Sequence, residues 1–155
     1  MAEIRSGTET VDLEVRVKAS PETLWEFFTD PEKMTRWKGR TVELDPRPGG
    51  VHRVQINDQA IAVGEYLEVE PHSRILLTWG WEGHPEVAAG STRVEVTLEP
   101  DGEETVVRLR HADLPSEAQR SEHTDGWQHY LGRLSSSAAG GDPGPDPNES
   151  AQASQ

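Results

Sequence analysis

Between Val11 and Val17 apolar residues fall at every second position, with Asp12, Glu14 and Arg16 between them. A period of two places one row of side chains on each face of a half-buried strand. Ser20-Pro21 then carries a helix-start signal, and Leu24, Trp25, Phe27 and Phe28 follow within about two turns. Asp30-Pro31-Glu32 repeats the signal before Met34 and Trp37, so two short helices separated by a sharp turn are expected. Gly39 ends them, Thr41 to Leu44 reads as a short strand, and Pro46, Pro48, Gly49 and Gly50 mark a turn-rich connection. His52, Val54 and Ile56 share one face of the next strand, and Asn57-Asp58 is a hairpin turn signal. Alternation predicts inner faces of Ile61, Val63, Glu65, Leu67 and Val69, then Ile75, Leu77, Trp79 and Trp81. A polar, glycine-containing stretch from Glu82 to Gly90 predicts a loop; it and the Pro46–Gly50 turn each read first as ordinary strand connections, with a pocket mouth as the alternative. Val94, Val96 and Leu98, then Thr105, Val107, Leu109 and His111, line the last two strands. From Pro115 to Leu134 the period changes. Trp127, Tyr130, Leu131 and Leu134 recur at i, i+3, i+4 and i+7, and the same stripe runs back through His123 and Arg120. Ser116 with Gln119 predicts a capping box. The expected fold class is α+β: an antiparallel sheet whose inner face is covered by a long terminal helix.

Composition changes this picture at the ends. The chain has 155 residues and is 33% apolar, with part of the deficit in a Gly-, Pro-, Ser- and Ala-rich tail. One domain over residues 1–136 is expected, frayed over 1–10, followed by a disordered tail over 137–155. The formal net charge of −13 disfavours nucleic acid and anionic membrane surfaces, which need a positive face. With no cysteine, disulfides, thiolate metal sites and cysteine nucleophiles are excluded. His123 and His129 are six apart and point to different helix faces, so no metal site is expected. No phosphate-cradling loop, dinucleotide fingerprint or nucleophile elbow occurs, and no cofactor is expected. The start of the chain has no export signal and no stretch is apolar enough to span a membrane, which together with the missing cysteines suggests a cytoplasmic protein.

Five segments, in order, resemble a known family: Asp30-Pro31-Glu32 with Met34 and Trp37; Pro48-Gly49-Gly50; Gly64-Glu65-Tyr66-Leu67-Glu68-Val69-Glu70-Pro71; Thr78-Trp79-Gly80-Trp81; and His111 followed by His123, Trp127, Tyr130 and Leu131. The pattern is similar to the SRPBCC, or START-like, superfamily, in the branch of the activator of heat-shock-protein-ninety ATPase. The resemblance covers Val11 to Leu134. It implies a helix-grip fold, in which a curved antiparallel sheet wraps around the C-terminal helix, and a pocket between them for small apolar molecules. Relatives that act as co-chaperones carry a separate N-terminal domain with an Asn/Trp/His-rich motif. This sequence shows neither, so a chaperone partner is disfavoured against a small apolar or amphipathic one.

Candidate pocket residues follow from the inner faces. Phe28, Trp37, Trp79, Trp81, Trp127 and Tyr130 supply rigid aromatic surface, with Val54, Ile56, Val63, Leu77, Val96, Leu109 and Leu131 between them. Glu65, His111, Arg120 and His123, with His52, are polar positions on faces that read as buried, and a buried polar group must find a partner. Three roles fit: a structural tie, which is the favoured one; the polar end of a ligand pocket; or a general acid/base pair built on His123 or His111 with Glu65. The expected function is therefore small-molecule binding without catalysis. The alternatives are a cyclase- or hydrolase-type enzyme with His/Glu chemistry, and a protein-interaction module or chaperone cofactor.

Overall fold

The computed structural model describes residues 10–148. Strand β1 (Val11–Val17) leads into helices α1 (Pro21–Thr29) and α2 (Pro31–Met34). Ser20 Oγ accepts the Thr23 amide at 3.1 Å and Asp30 Oδ1 accepts that of Glu32 at 3.0 Å. Each helix thus starts at a side-chain cap followed by a proline, whose missing N–H has no partner to lose there. Strands β2 (Thr41–Leu44), β3 (Val51–Gln55), β4 (Ile61–Glu70), β5 (Arg74–Trp79), β6 (Thr92–Asp101) and β7 (Glu104–Ala112) follow, and helix α3 (Glu117–Ala138) comes last.

The seven strands form one antiparallel sheet in the order β1-β7-β6-β5-β4-β3-β2. Apart from β1, which pairs with β7 and sets Val11 opposite His111, each strand lies beside its neighbour in sequence. Short turns make this possible. At the β3–β4 turn Asn57 Oδ1 accepts the amides of Gln59 and Ala60 at 2.9 and 2.8 Å, an Asx turn that fixes the hairpin. The sheet curves around α3, which packs against β1 and α1 and buries Trp127, Tyr130, Leu131 and Leu134. This is the expected helix-grip fold.

Four local expectations are corrected. In β4 the buried side chains are Ala62 and Tyr66, while Glu65 and Leu67 are exposed and Ile61 and Val63 are only half-buried. The face is one residue out of phase from Ile61 to Leu67. β-branched residues line the outer row there, and a register shift between Tyr66 and Glu68 returns Val69 to the core side. The expected fifth strand through Trp81 stops at Trp79, because the chain breaks away at Gly80. An added Cβ at Gly80 would lie 1.7 Å from the Ala88 carbonyl oxygen, so only glycine lets the Glu82–Gly90 loop cross there. The capping box is half formed: Ser116 Oγ accepts the Gln119 amide, but the Gln119 side chain donates to Glu86 Oε1 at 2.9 Å instead of reaching back.

The tail is the fourth correction. Helix α3 continues to Ala138, and residues 139–148 fold back along it. Asp146 is buried, accepting from Tyr130 Oη at 2.7 Å and pairing with His129 Nε2 at 2.9 Å. Asn57 Nδ2 donates to the Asn148 carbonyl at 3.0 Å, and Arg133 Nη1 to that of Gly144 at 3.0 Å. A Gly/Pro-rich composition suppresses regular structure without preventing docking when one buried carboxylate finds three donors. The expectations for residues 1–9 and 149–155 lie outside the described residues.

Candidate functional site

Two hydrogen-bond chains join the sheet to α3. Trp127 Nε1 donates to His111 Nδ1 at 3.0 Å, which leaves the ring proton on Nε2. That nitrogen donates to Thr92 Oγ1 at 2.8 Å, and the Thr92 hydroxyl donates to the Trp79 carbonyl at 2.5 Å. In parallel, Trp81 Nε1 donates to His123 Nε2 at 3.0 Å, so the proton sits on Nδ1 and goes to the Gln119 carbonyl at 2.8 Å. The two rings lie 5.3 Å apart, edge to face, and Trp79 packs against both. Each ring uses one nitrogen as an acceptor from a tryptophan N–H, which requires the neutral ring, and the other as a donor. Burial pushes the His111 imidazole down to about 3, with the nearby His123 and Lys38 adding to the effect, and it lowers His123 as well.

Next to these chains lies a cavity of about 500 Å³ between the sheet and the terminal helix. Trp79 and Trp81 form one wall, and His123, Gly126, Trp127 and Tyr130 of α3 form another. Gln59 and Ala60 of the β3–β4 turn and Glu82, Gly83, His84 and Pro85 of the following loop shape its rim, with Gln119 and Glu122 at the N-terminal end of the helix. His84 organises that loop, its Nδ1 accepting the amides of Glu86 and Val87 at 3.0 and 2.9 Å. Of the two connections read alternatively as a mouth, the Glu82–Gly90 loop lines the cavity and the Pro46–Gly50 turn does not.

Lys38 completes the lining. It is 4% exposed, and its Nζ stands 3.7 Å from the centre of the Trp127 ring, with Trp79 and Tyr130 each at 5.6 Å. Among the described residues this amine has no carboxylate within salt-bridge reach. Burial lowers its pKa to about 7. Its charge in turn helps depress His52, which burial brings down to about 3.

The expected pocket residues divide accordingly. Trp79, Trp81, His123, Trp127 and Tyr130 line the cavity. Phe28, Trp37, Val54, Ile56, Leu77, Val96, Leu109, His111 and Leu131 are buried core that does not reach it. His52 is also buried away from it, edge to face with Tyr66. Val63 and Glu65 fall on the outer face of β4, the consequence of its shifted phase. Arg120 does not meet His111; its Nη1 donates to the Leu114 carbonyl at 3.3 Å. No group of three or more His, Asp or Glu side chains able to hold a metal occurs among the described residues.

Comparison with known proteins agrees with this architecture. The family described as Activator of Hsp90 ATPase homolog 1-like protein matches residues 18–139. An AHSA1-like protein from Rhizobium etli, solved in solution, is 43% identical, with 89% of this chain and 86% of that one covered and a TM-score of 0.73. The chain belongs to this family. CalU16 from Micromonospora echinospora is similar at 30% identity, covering 92% of this chain and 72% of that one, with a TM-score of 0.74. DynU16, from the dynemicin biosynthetic locus, has a TM-score of 0.77 at 26% identity over 87% of this chain, which spans about half (49%) of that protein's length. No curated protein matches. As an AHSA1-like chain of the SRPBCC superfamily it has the fold used for ligand binding, and no helix among its described residues is long and apolar enough to cross a membrane.

Proposed function

We propose that this AHSA1-like protein binds an apolar or amphipathic small molecule in the cavity beneath α3. The observation that carries the proposal is the cavity itself. Its volume of about 500 Å³ lies within the ~300–1,000 Å³ usual for ligand sites. Three tryptophans and a tyrosine supply rigid apolar wall, while Lys38, Gln119 and Glu122 offer a few polar contacts for orientation. The similarity to DynU16, a protein of a biosynthetic locus, favours a small organic ligand over a macromolecule.

The acid/base alternative has less support. His111 and His123 have both ring nitrogens engaged, and Glu65 faces solvent on the other side of the sheet. A protein-docking role also has less support. Arg110–Asp12, Arg108–Glu14, Arg74–Glu95 and Arg93–Asp113 ion pairs cover the outer sheet face, and Leu67 is the exposed large hydrophobic among the described residues.

The test is a titration with fatty acids, flavonoids and aromatic polyketides followed by tryptophan fluorescence. Three of the five tryptophans line the cavity, so occupancy should change emission saturably for at least one class. If no class produces saturable change, the proposal fails.

A further inference from the structure

Lys38 is the one lysine placed inside the fold. The chain has three lysines. Lys18 is exposed, and Lys33 is ion-paired with Glu26. Lys38, just past the turn that follows α2, instead reaches into the cavity, its Nζ over the Trp127 ring and near those of Trp79 and Tyr130. A buried ammonium is costly unless paired, and among the described residues no carboxylate forms an ion pair with it. A desolvated primary amine whose proton is loosely held and that faces a roomy apolar cavity is the arrangement that makes lysine a nucleophile toward carbonyl carbon. The acidic groups at the rim, Glu82 and Glu122, belong to the cavity lining but make no ion pair with it.

We infer that the cavity captures an apolar aldehyde or ketone as a reversible imine on Lys38 Nζ. This rests on the small-molecule reading of the same cavity and names its ligand class. In the step, the Nζ lone pair attacks the carbonyl carbon, a C–N bond forms, and the carbonyl π electrons move to oxygen. The two nitrogen protons pass in turn to that oxygen, the C–O bond breaks, and one water leaves as the C=N bond closes. No oxidant, reductant or further reactant is required. Burial supports the step by leaving about half of the amine neutral near pH 7, where an ordinary lysine is almost wholly protonated. The aromatic wall holds the hydrocarbon part of the ligand, and the neighbouring histidines, each already hydrogen-bonded, remain neutral and leave the amine without an internal charge partner.

The experiment uses the full chain with 2-naphthaldehyde and sodium cyanoborohydride near neutral pH, followed by peptide mapping by mass spectrometry. The reductant traps any imine as a stable secondary amine. Lys38 should be alkylated more than about tenfold faster than Lys18 or Lys33, whose neutral fractions near neutral pH are far smaller, while the N-terminal amine, which titrates near pH ~8, is told apart by the protection experiment. A saturating amount of 2-naphthalenemethanol, which has the same ring but no carbonyl, should protect Lys38 alone. In K38R the cavity-site adduct should vanish while the other amines react as before. Equal labelling of all amines, or labelling that the alcohol does not suppress, overturns the inference. The alcohol separates the two ideas through tryptophan fluorescence. If it binds saturably while Lys38 stays unlabelled, the imine is wrong and the pocket stands. If it does not bind and Lys38 stays unlabelled, the imine is wrong, and the pocket falls with it when fatty acids, flavonoids and polyketides also leave the fluorescence unchanged.

Discussion

At the scale of single residues, the two histidines show how partners decide chemistry. Both lie on inward faces, and period-two and period-3.6 spacing place them there correctly. What spacing does not carry is which nitrogen holds the proton. Trp127 donates to Nδ1 of His111, and Trp81 donates to Nε2 of His123, so the two rings are opposite tautomers. Imidazole nitrogen shifts in ¹⁵N NMR at pH ~8 should show the Nε2–H form for His111 and the Nδ1–H form for His123, with His111 still neutral at pH ~6. A protonated ring, or one shared tautomer, would contradict the assigned chains. W127F should leave the His111 Nδ1 acceptor buried without a donor and cost about 1–3 kcal/mol in chemical denaturation. It should also remove part of the Lys38 cation–π contact. Lys38 itself was legible only in hindsight. It stands four residues after Met34, just past the turn that follows α2, and a charged residue beside a glycine in such a connection reads as solvent-exposed by default.

At the scale of elements, legibility followed the strength of the local pattern. The caps of α1 and α2, the β1 alternation and the α3 stripe from His123 to Leu134 each have one physical solution, and the structure has that solution; one turn earlier Gln119 is buried in place of Arg120. β4 has two. Ile61, Val63 and Leu67 make a convincing apolar row, yet Ala62 and Tyr66 are the buried ones. A tyrosine and an alanine score below isoleucine and valine on hydropathy, and a bulge ahead of Val69 hides the change of phase. The cavity is invisible to any such pattern, because it depends on what side chains leave unfilled. Gly126 is a case in point: it lines the cavity on α3 with no atom within 4 Å of where a Cβ would lie. G126L should therefore fold, gain about 0.5–1 kcal/mol from helix propensity, and lower affinity for any cavity ligand by more than about tenfold, one such step being ~1.4 kcal/mol. Unchanged affinity in a stably folded G126L would move the binding site elsewhere. The tail beyond α3 belongs at this scale too. Its composition reads as unstructured, but Asp146 docks on Tyr130, His129 and the Asn148 amide. D146A should cost on the order of 1–3 kcal/mol by leaving the buried Tyr130 hydroxyl short of an acceptor. It should also increase amide exchange over residues 139–148. An unchanged melting temperature and exchange pattern would mean that the tail contributes nothing.

At the scale of the whole molecule, the buried ionisable groups set how stability varies with pH. Burial lowers Lys38 from 10.5 to about 7, so between those values the unfolded chain binds a proton that the folded chain does not. Stability must therefore rise with pH across that window. Burial likewise lowers His52 and His111 from 6.5 to about 3, so stability also rises from about pH 3 to 6.5. Below 3.8 the loss deepens. Burial alone would raise the Asp146 carboxyl, but hydrogen bonds from Tyr130, Asn148 and His129 hold it below its ordinary value, and protonating it breaks them. On the alkaline side Tyr66 and Tyr130 are both raised above 10.0 by burial, so their ionisation favours the unfolded chain and stability falls again above pH ~10. Most proteins are most stable between about pH 5 and 8, whereas these groups place the maximum here near pH ~10. Thermal melts at pH ~6 and ~9 should show the higher midpoint at the alkaline value. K38M replaces the buried amine with an apolar side chain of similar length and should raise the midpoint at pH ~6, where burying the charge costs on the order of 3–5 kcal/mol. At pH ~9 it should change the midpoint far less, so the difference between the two pH values should shrink in the variant. Parallel pH curves for the two proteins would show that Lys38 is as solvated in the folded chain as in the unfolded one.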